Sequence, residues 1–154
     1  MEAQDRIERQ MTFPAAREDV WAAITEPEQI AKWFGTETEL DLRPGGQGAF
    51  RWDEIEVRVT VEEVSPPSRF SYRWEPSQTP SGGPTTLVEF ELEEIPGGTR
   101  LSLVESGFAS LPAESRQENE FGWDEELGHL RTFLLEKAVV SAPSSNEPIT
   151  SDGR

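Results

Sequence analysis

Cysteine is absent from the 154 residues, histidine occurs once, and basic residues are few, with 14 Lys and Arg against 30 Asp and Glu for a formal net charge of −16. Each shortage excludes something. Without thiols there is no disulfide framework, thiolate metal site or thiol nucleophile, and the reducing cytoplasm is the expected compartment. The acidic balance repels phosphate backbones and anionic lipid surfaces, so neither nucleic acid nor membrane is an expected partner. No apolar run approaches the roughly 20 residues of a membrane-spanning helix, and the charged start MEAQDRIERQ lacks the apolar segment of a signal peptide. One histidine cannot form a paired-histidine motif, no GxSxG or phosphate-cradling loop is present, and PGGQG reads as a tight turn. No metal and no cofactor is therefore expected.

What is present fits one domain over residues 1–140, followed by a Ser- and Pro-rich stretch, SAPSSNEPITSDGR, expected to be a disordered tail over 141–154. IERQMTF reads as a first strand. Pro14 breaks it, and REDVWAAIT follows as a helix with Val20, Trp21 and Ile24 on one flank. Pro27 suits the first turn of a second short helix. From residue 37 the apolar period becomes two, as in half-buried antiparallel strands. Phe50 and Trp52 share a face, as do Ile55, Val57, Val59 and Val61; Phe70, Tyr72 and Trp74; Thr86, Val88, Phe90 and Leu92; and Leu101 with Leu103. About six consecutive strands with short turns result. In FGWDEELGHLRTFLLEK, at 100° per residue, Trp123, Leu127, Leu130, Leu134 and Ala138 form one stripe with Phe133 beside it. A long amphipathic helix needs an apolar surface, and the sheet is the large one available. The expected class is α+β: strand, two short helices, a strand meander, then a helix across the sheet.

Five pieces carry a resemblance by their order and spacing: FPAAREDVWAAITEPEQIAKWFG, DLRPGGQGAFRW, EVSPPSRFSYRW, GGTRLSLVESGF and GWDEELGHLRTFLLEK. Over roughly residues 6–138 the chain resembles the Hsp90 ATPase activator homologue 1-like branch of the START-like, or SRPBCC, superfamily. The resemblance implies a helix-grip fold, in which a curved antiparallel sheet of six or seven strands wraps the C-terminal helix around a deep, mostly apolar cavity. It also implies binding or transport of hydrophobic small molecules, with some relatives acting as cyclases, hydrolases or sequestering resistance proteins. The eukaryotic namesake stimulates the Hsp90 ATPase through this domain and a separate N-terminal one, which this chain is expected to lack. A chaperone partner is accordingly a weaker expectation, and the protein could be a monomer or a homodimer.

The candidate ligand-binding set comprises Phe50, Trp52, Tyr72, Trp74 and Phe90 on the sheet, Trp33, Phe121 and Trp123 at the expected mouth and helix start, and Leu127, Leu130 and Phe133 along the helix. The plainer alternative is that these rings fill an ordinary core. Glu105 completes the set, because regular alternation puts it inward with Leu101 and Leu103, where a carboxylate resists ionisation. A strand end reaching solvent, or pairing with Arg51, are its bland alternatives. His129 lies on the solvent flank of the helix and is expected to be a partly exposed, non-catalytic side chain. DEIE at residues 53–56 lacks the spacing of a calcium loop and reads as a solvated edge. Three functions follow: binding of a small hydrophobic or aromatic ligand without catalysis; proton-transfer chemistry using Glu105 with Tyr72 or His129; or a protein-interaction module related to Hsp90 activators.

Overall fold

The computed structural model describes residues 5–34, 37–52, 55–75 and 84–141, with side chains through Lys137. The expectations for Asp53, Glu54, Ala138 and the tail lie outside the described residues.

Seven strands form one antiparallel sheet. β1 (Arg6–Phe13) is followed by α1 (Arg17–Thr25) and α2 (Pro27–Phe34), and then by β2 (Glu37–Leu40), β3 (Gln47–Trp52), β4 (Ile55–Ser65), β5 (Arg69–Glu75), β6 (Thr86–Ile95) and β7 (Gly98–Ser106). A 3-10 turn (Phe108–Ser110) leads into α3 (Ala113–Ser141). The spatial order β1-β7-β6-β5-β4-β3-β2 is a meander whose last strand pairs with the first. Short turns set this order, since each hairpin brings consecutive strands side by side. At one of them a close approach requires glycine: a Cβ on Gly98 would strike the carbonyl of Phe13. Gly107, with φ of 102°, lets the chain leave β7 in the left-handed region.

Period two decides which side chains enter the core. Val57, Val59, Val61, Phe70, Tyr72, Thr86, Val88, Phe90, Leu92, Leu101, Leu103 and Glu105 are all buried on one face. Ile55 departs from this pattern. Although it shares the parity of Val57, it opens β4 opposite Trp52 at the end of the ladder and is 51% exposed. A register shift between Val61 and Glu63 interrupts the β4–β5 pairing farther along.

α3 crosses this face, burying Trp123, Leu127, Leu130 and Leu134 as its leucine stripe requires. It begins at Ala113, two turns before the expected start, so Phe121 and Trp123 sit inside the helix and not at its entrance. Arg9 on β1 clamps it from the side, its guanidinium donating to Asp124 at 2.6 Å and to Glu120 at 2.8 Å. That pairing holds the Asp124 carboxyl below its usual range. Gly128 lies on the exposed face, where a Cβ would meet no atom within 4 Å. Nothing in the fold explains a glycine there. Gly128→Ala should stabilise the protein by about 0.5–1 kcal/mol through the lost backbone freedom of the unfolded chain. Urea denaturation would show a raised midpoint with an unchanged slope.

Candidate functional site

The centre of the site is Glu105, which is 1% exposed. It sits on β7 between Ile7 of β1 and Val88 of β6, so neighbouring strands screen it from solvent on both sides. Three neutral donors compensate. The Thr86 hydroxyl donates to Oε2 at 2.5 Å, the Asn119 carboxamide donates to Oε2 at 3.0 Å, and the Trp123 indole N–H donates to Oε1 at 2.8 Å. Neither a strand end open to water nor a bond to Arg51 describes this residue, because Arg51 is bonded to Glu56 and Glu39. Burial pushes the carboxyl pKa up, and the three hydrogen bonds pull part of that back. Tyr72, fully enclosed, is pushed well above the ordinary tyrosine range by burial first and by the Glu105 charge second.

A carboxylate offers about four lone-pair positions. Three are taken, two on Oε2 and one on Oε1. Glu105 lines a cavity of about 140 Å³ together with Phe34, Trp52, Trp74 and Trp123 and with Glu118, Asn119, Gly122 and Glu126. Glu118 is exposed and marks its mouth. The rings hold one another in place: Phe34 contacts Trp52 at 5.1 Å between centroids and stacks on Trp123 at 6.2 Å, while Trp52 and Trp74 are 6.4 Å apart. The Trp52 indole donates to the Phe34 carbonyl at 3.3 Å, fixing the end of α2 against β3. Glu126 is half-buried, and its oxygen lies 3.1 Å from His129 Nδ1; burial raises its pKa and the histidine opposes that shift.

The expected ligand set divides accordingly. Trp52, Trp74, Glu105 and Trp123 come together around the cavity. Phe50, Tyr72 and Phe90 form the packed layer behind it, with Phe50 5.7 Å from Trp74 and Phe90 5.9 Å from Trp123. Leu127 and Leu130 belong to the buried core. Trp33 donates its indole N–H to the Ala23 carbonyl and, with Phe133, faces a separate open groove of about 800 Å³ between α2 and α3, which His129 also lines. Phe121 is 71% exposed and joins neither space. Expected as a wall or entrance residue, it points outward because the longer helix turns that position away from the sheet. The deep cavity of the resemblance is correspondingly reduced, since interlocking aromatic rings occupy most of the space under α3.

Phe34, Glu118, Asn119, Gly122 and Glu126 are the members that sequence reading missed. Positions 119, 122, 123 and 126 follow the spacing of one helical face. A helix begun at Ala113 would have revealed them beside Trp123.

The model of the family described as Activator of Hsp90 ATPase homolog 1-like protein matches residues 14–134. The chain belongs to this family. Its sheet and C-terminal helix are those of the helix-grip architecture. CalU16 from Micromonospora echinospora is 27% identical, with a TM-score of 0.69 over 88% of this chain and 79% of that one. DynU16, a protein of the dynemicin biosynthetic locus, is 24% identical with a TM-score of 0.76 over 86% of this chain, which spans 48% of DynU16. An HSP90 activator from Plasmodium falciparum, at 17% identity and a TM-score of 0.70, shares the fold over 84% of this chain and 96% of its own length. Among curated proteins no sequence matches this chain. Within this Activator of Hsp90 ATPase homolog 1-like chain, no described helix is long and apolar enough to cross a membrane. Nor does any group of three or more His, Asp or Glu among the described residues suit a metal ion.

Proposed function

We propose that the protein binds a small, mostly hydrophobic molecule in the cavity between β3, β5 and the middle of α3, holding it without chemical change. The observation that carries this reading is the position of Glu105: a buried carboxylate, oriented by three donors, in the lining of a cavity that four aromatic rings also wall. Ligand sites combine apolar walls with a few polar groups that set orientation, and this cavity has that composition. Its size suits a compact group, since an apolar cavity of about 150 Å³ takes up benzene.

The test uses native mass spectrometry of protein purified from its own host, together with a thermal-shift screen of aromatic and lipid-like compounds. Gly122 provides the control, because it lines the cavity and a Cβ there meets nothing within 4 Å. Gly122→Leu should fold normally, as the helix gains a residue of better propensity, and should lose at least about tenfold in affinity by occluding the space, a change of roughly 1.4 kcal/mol. The reading fails if no compound raises the melting temperature of the native chain, or if Gly122→Leu binds as tightly.

A further inference from the structure

We propose that the ligand held by this cavity is an organic ammonium ion, its cationic end lying among Glu105, Glu118 and Glu126 against the faces of Trp52, Trp74 and Trp123. The proposal rests on the reading of the cavity as a ligand site and adds the charge of the ligand.

Charge and the composition of the lining converge on this class. Three carboxylates line the cavity and no lysine or arginine does. The donors that satisfy Glu105 are a hydroxyl, a carboxamide and an indole, all neutral. Its charge therefore has no compensating cation among these partners, and a carboxylate removed from water gains most from one. Glu126 is shared with His129 Nδ1 at 3.1 Å, outside the cavity lining, and Glu118 makes no ion pair among the described residues. Phe34, Trp52, Trp74 and Trp123 make up most of the rest of the wall, with Asn119 and Gly122. Indole and phenyl faces carry the negative part of the ring quadrupole, so four rings around one space attract a cation as well as an apolar body. An anionic ligand would meet three like charges, and a neutral one would leave both features unused. A bare metal ion is poorly served, since the carboxylates do not converge into a coordination set.

Choline and its neutral isostere, in which a tert-butyl group replaces trimethylammonium, have nearly equal shape and differ in charge. Titration of each into the full chain is followed by the indole N–H resonances. Trp52, Trp74 and Trp123 should move, while Trp21 and Trp33, which do not line the cavity, serve as internal references. Choline should bind at least about tenfold more tightly than the isostere, in line with cation–π attraction added to charge pairing. Glu118→Gln and Glu126→Gln should each weaken choline by about threefold and leave the isostere unchanged, because a carboxamide keeps the shape and removes the charge. Equal or tighter binding of the isostere would overturn the cationic assignment while leaving the ligand site standing. Binding of neither compound, with all three cavity indoles unmoved at millimolar concentration, would overturn both.

Discussion

Glu105→Ala destabilises the fold by about 3 kcal/mol, whereas Glu105→Gln costs less than about 1 kcal/mol, because three donors converge on the carboxylate and each left without an acceptor costs roughly 1 kcal/mol. The glutamine carbonyl keeps the Trp123 bond. Its amide nitrogen then faces Thr86, whose hydroxyl can turn to accept, and Asn119, whose carboxamide can rotate to present oxygen. The comparison also depends on pH. Burial raises the folded-state pKa of Glu105 above its ordinary value of 4.5. Below that value the group is protonated folded or unfolded and costs nothing; as pH rises, the unfolded chain ionises first, and stability falls until the folded carboxyl has also lost its proton. Glutamine does not titrate, so the stability of Glu105→Gln relative to the native chain should rise as pH increases from the ordinary carboxyl value of 4.5 towards neutrality. Chemical denaturation of both proteins across that range measures it directly. A difference that stays flat with pH would mean the carboxyl is no harder to ionise folded than unfolded.

Trp123→Ala should cost about 4 kcal/mol, within the range for removing a large aromatic from a core. Trp123 is 6% exposed, stacks on Phe34 at 6.2 Å, meets Phe90 edge-on at 5.9 Å and supplies the donor to Glu105 Oε1. Its loss removes a cavity wall and a hydrogen bond together. In a chain of this length that corresponds to a fall in melting temperature of roughly 8–16 °C. Trp123→Phe is the milder change, since it keeps a ring beside Phe34 and Phe90 while losing the indole donor and part of the ring volume, and it should cost about 1–2 kcal/mol. A small loss for Trp123→Ala would show that water or neighbouring rings fill the space and that the indole does not organise the site.

The pair also shows how much of the site was legible beforehand. Alternation along Leu101, Leu103 and Glu105 placed the carboxylate inward, and the leucine stripe placed Trp123 on the gripped face; both positions follow from periods of two and of 3.6. Their meeting does not, because Glu105 and Trp123 are joined by a 3-10 turn and about three turns of α3 whose path no periodicity encodes. Phe121 departs from expectation for the same reason: the first two turns of α3, AESRQENE, carry no apolar stripe that announces where the helix begins.

The sequence by itself determined the strand meander, the two short helices, the covering helix and the acidic character of the whole, since local propensity, side-chain period and turn residues each act within a few positions of the chain. Only the tertiary structure decided that the rings of Phe50, Tyr72 and Phe90 close most of the space beneath α3, and that a small cavity survives beside Glu105. Cavity volume is the difference between the space a curved sheet encloses and the side chains that fill it. That difference depends on strand coiling and helix placement at the scale of a single methyl group, which no reading of alternation can supply.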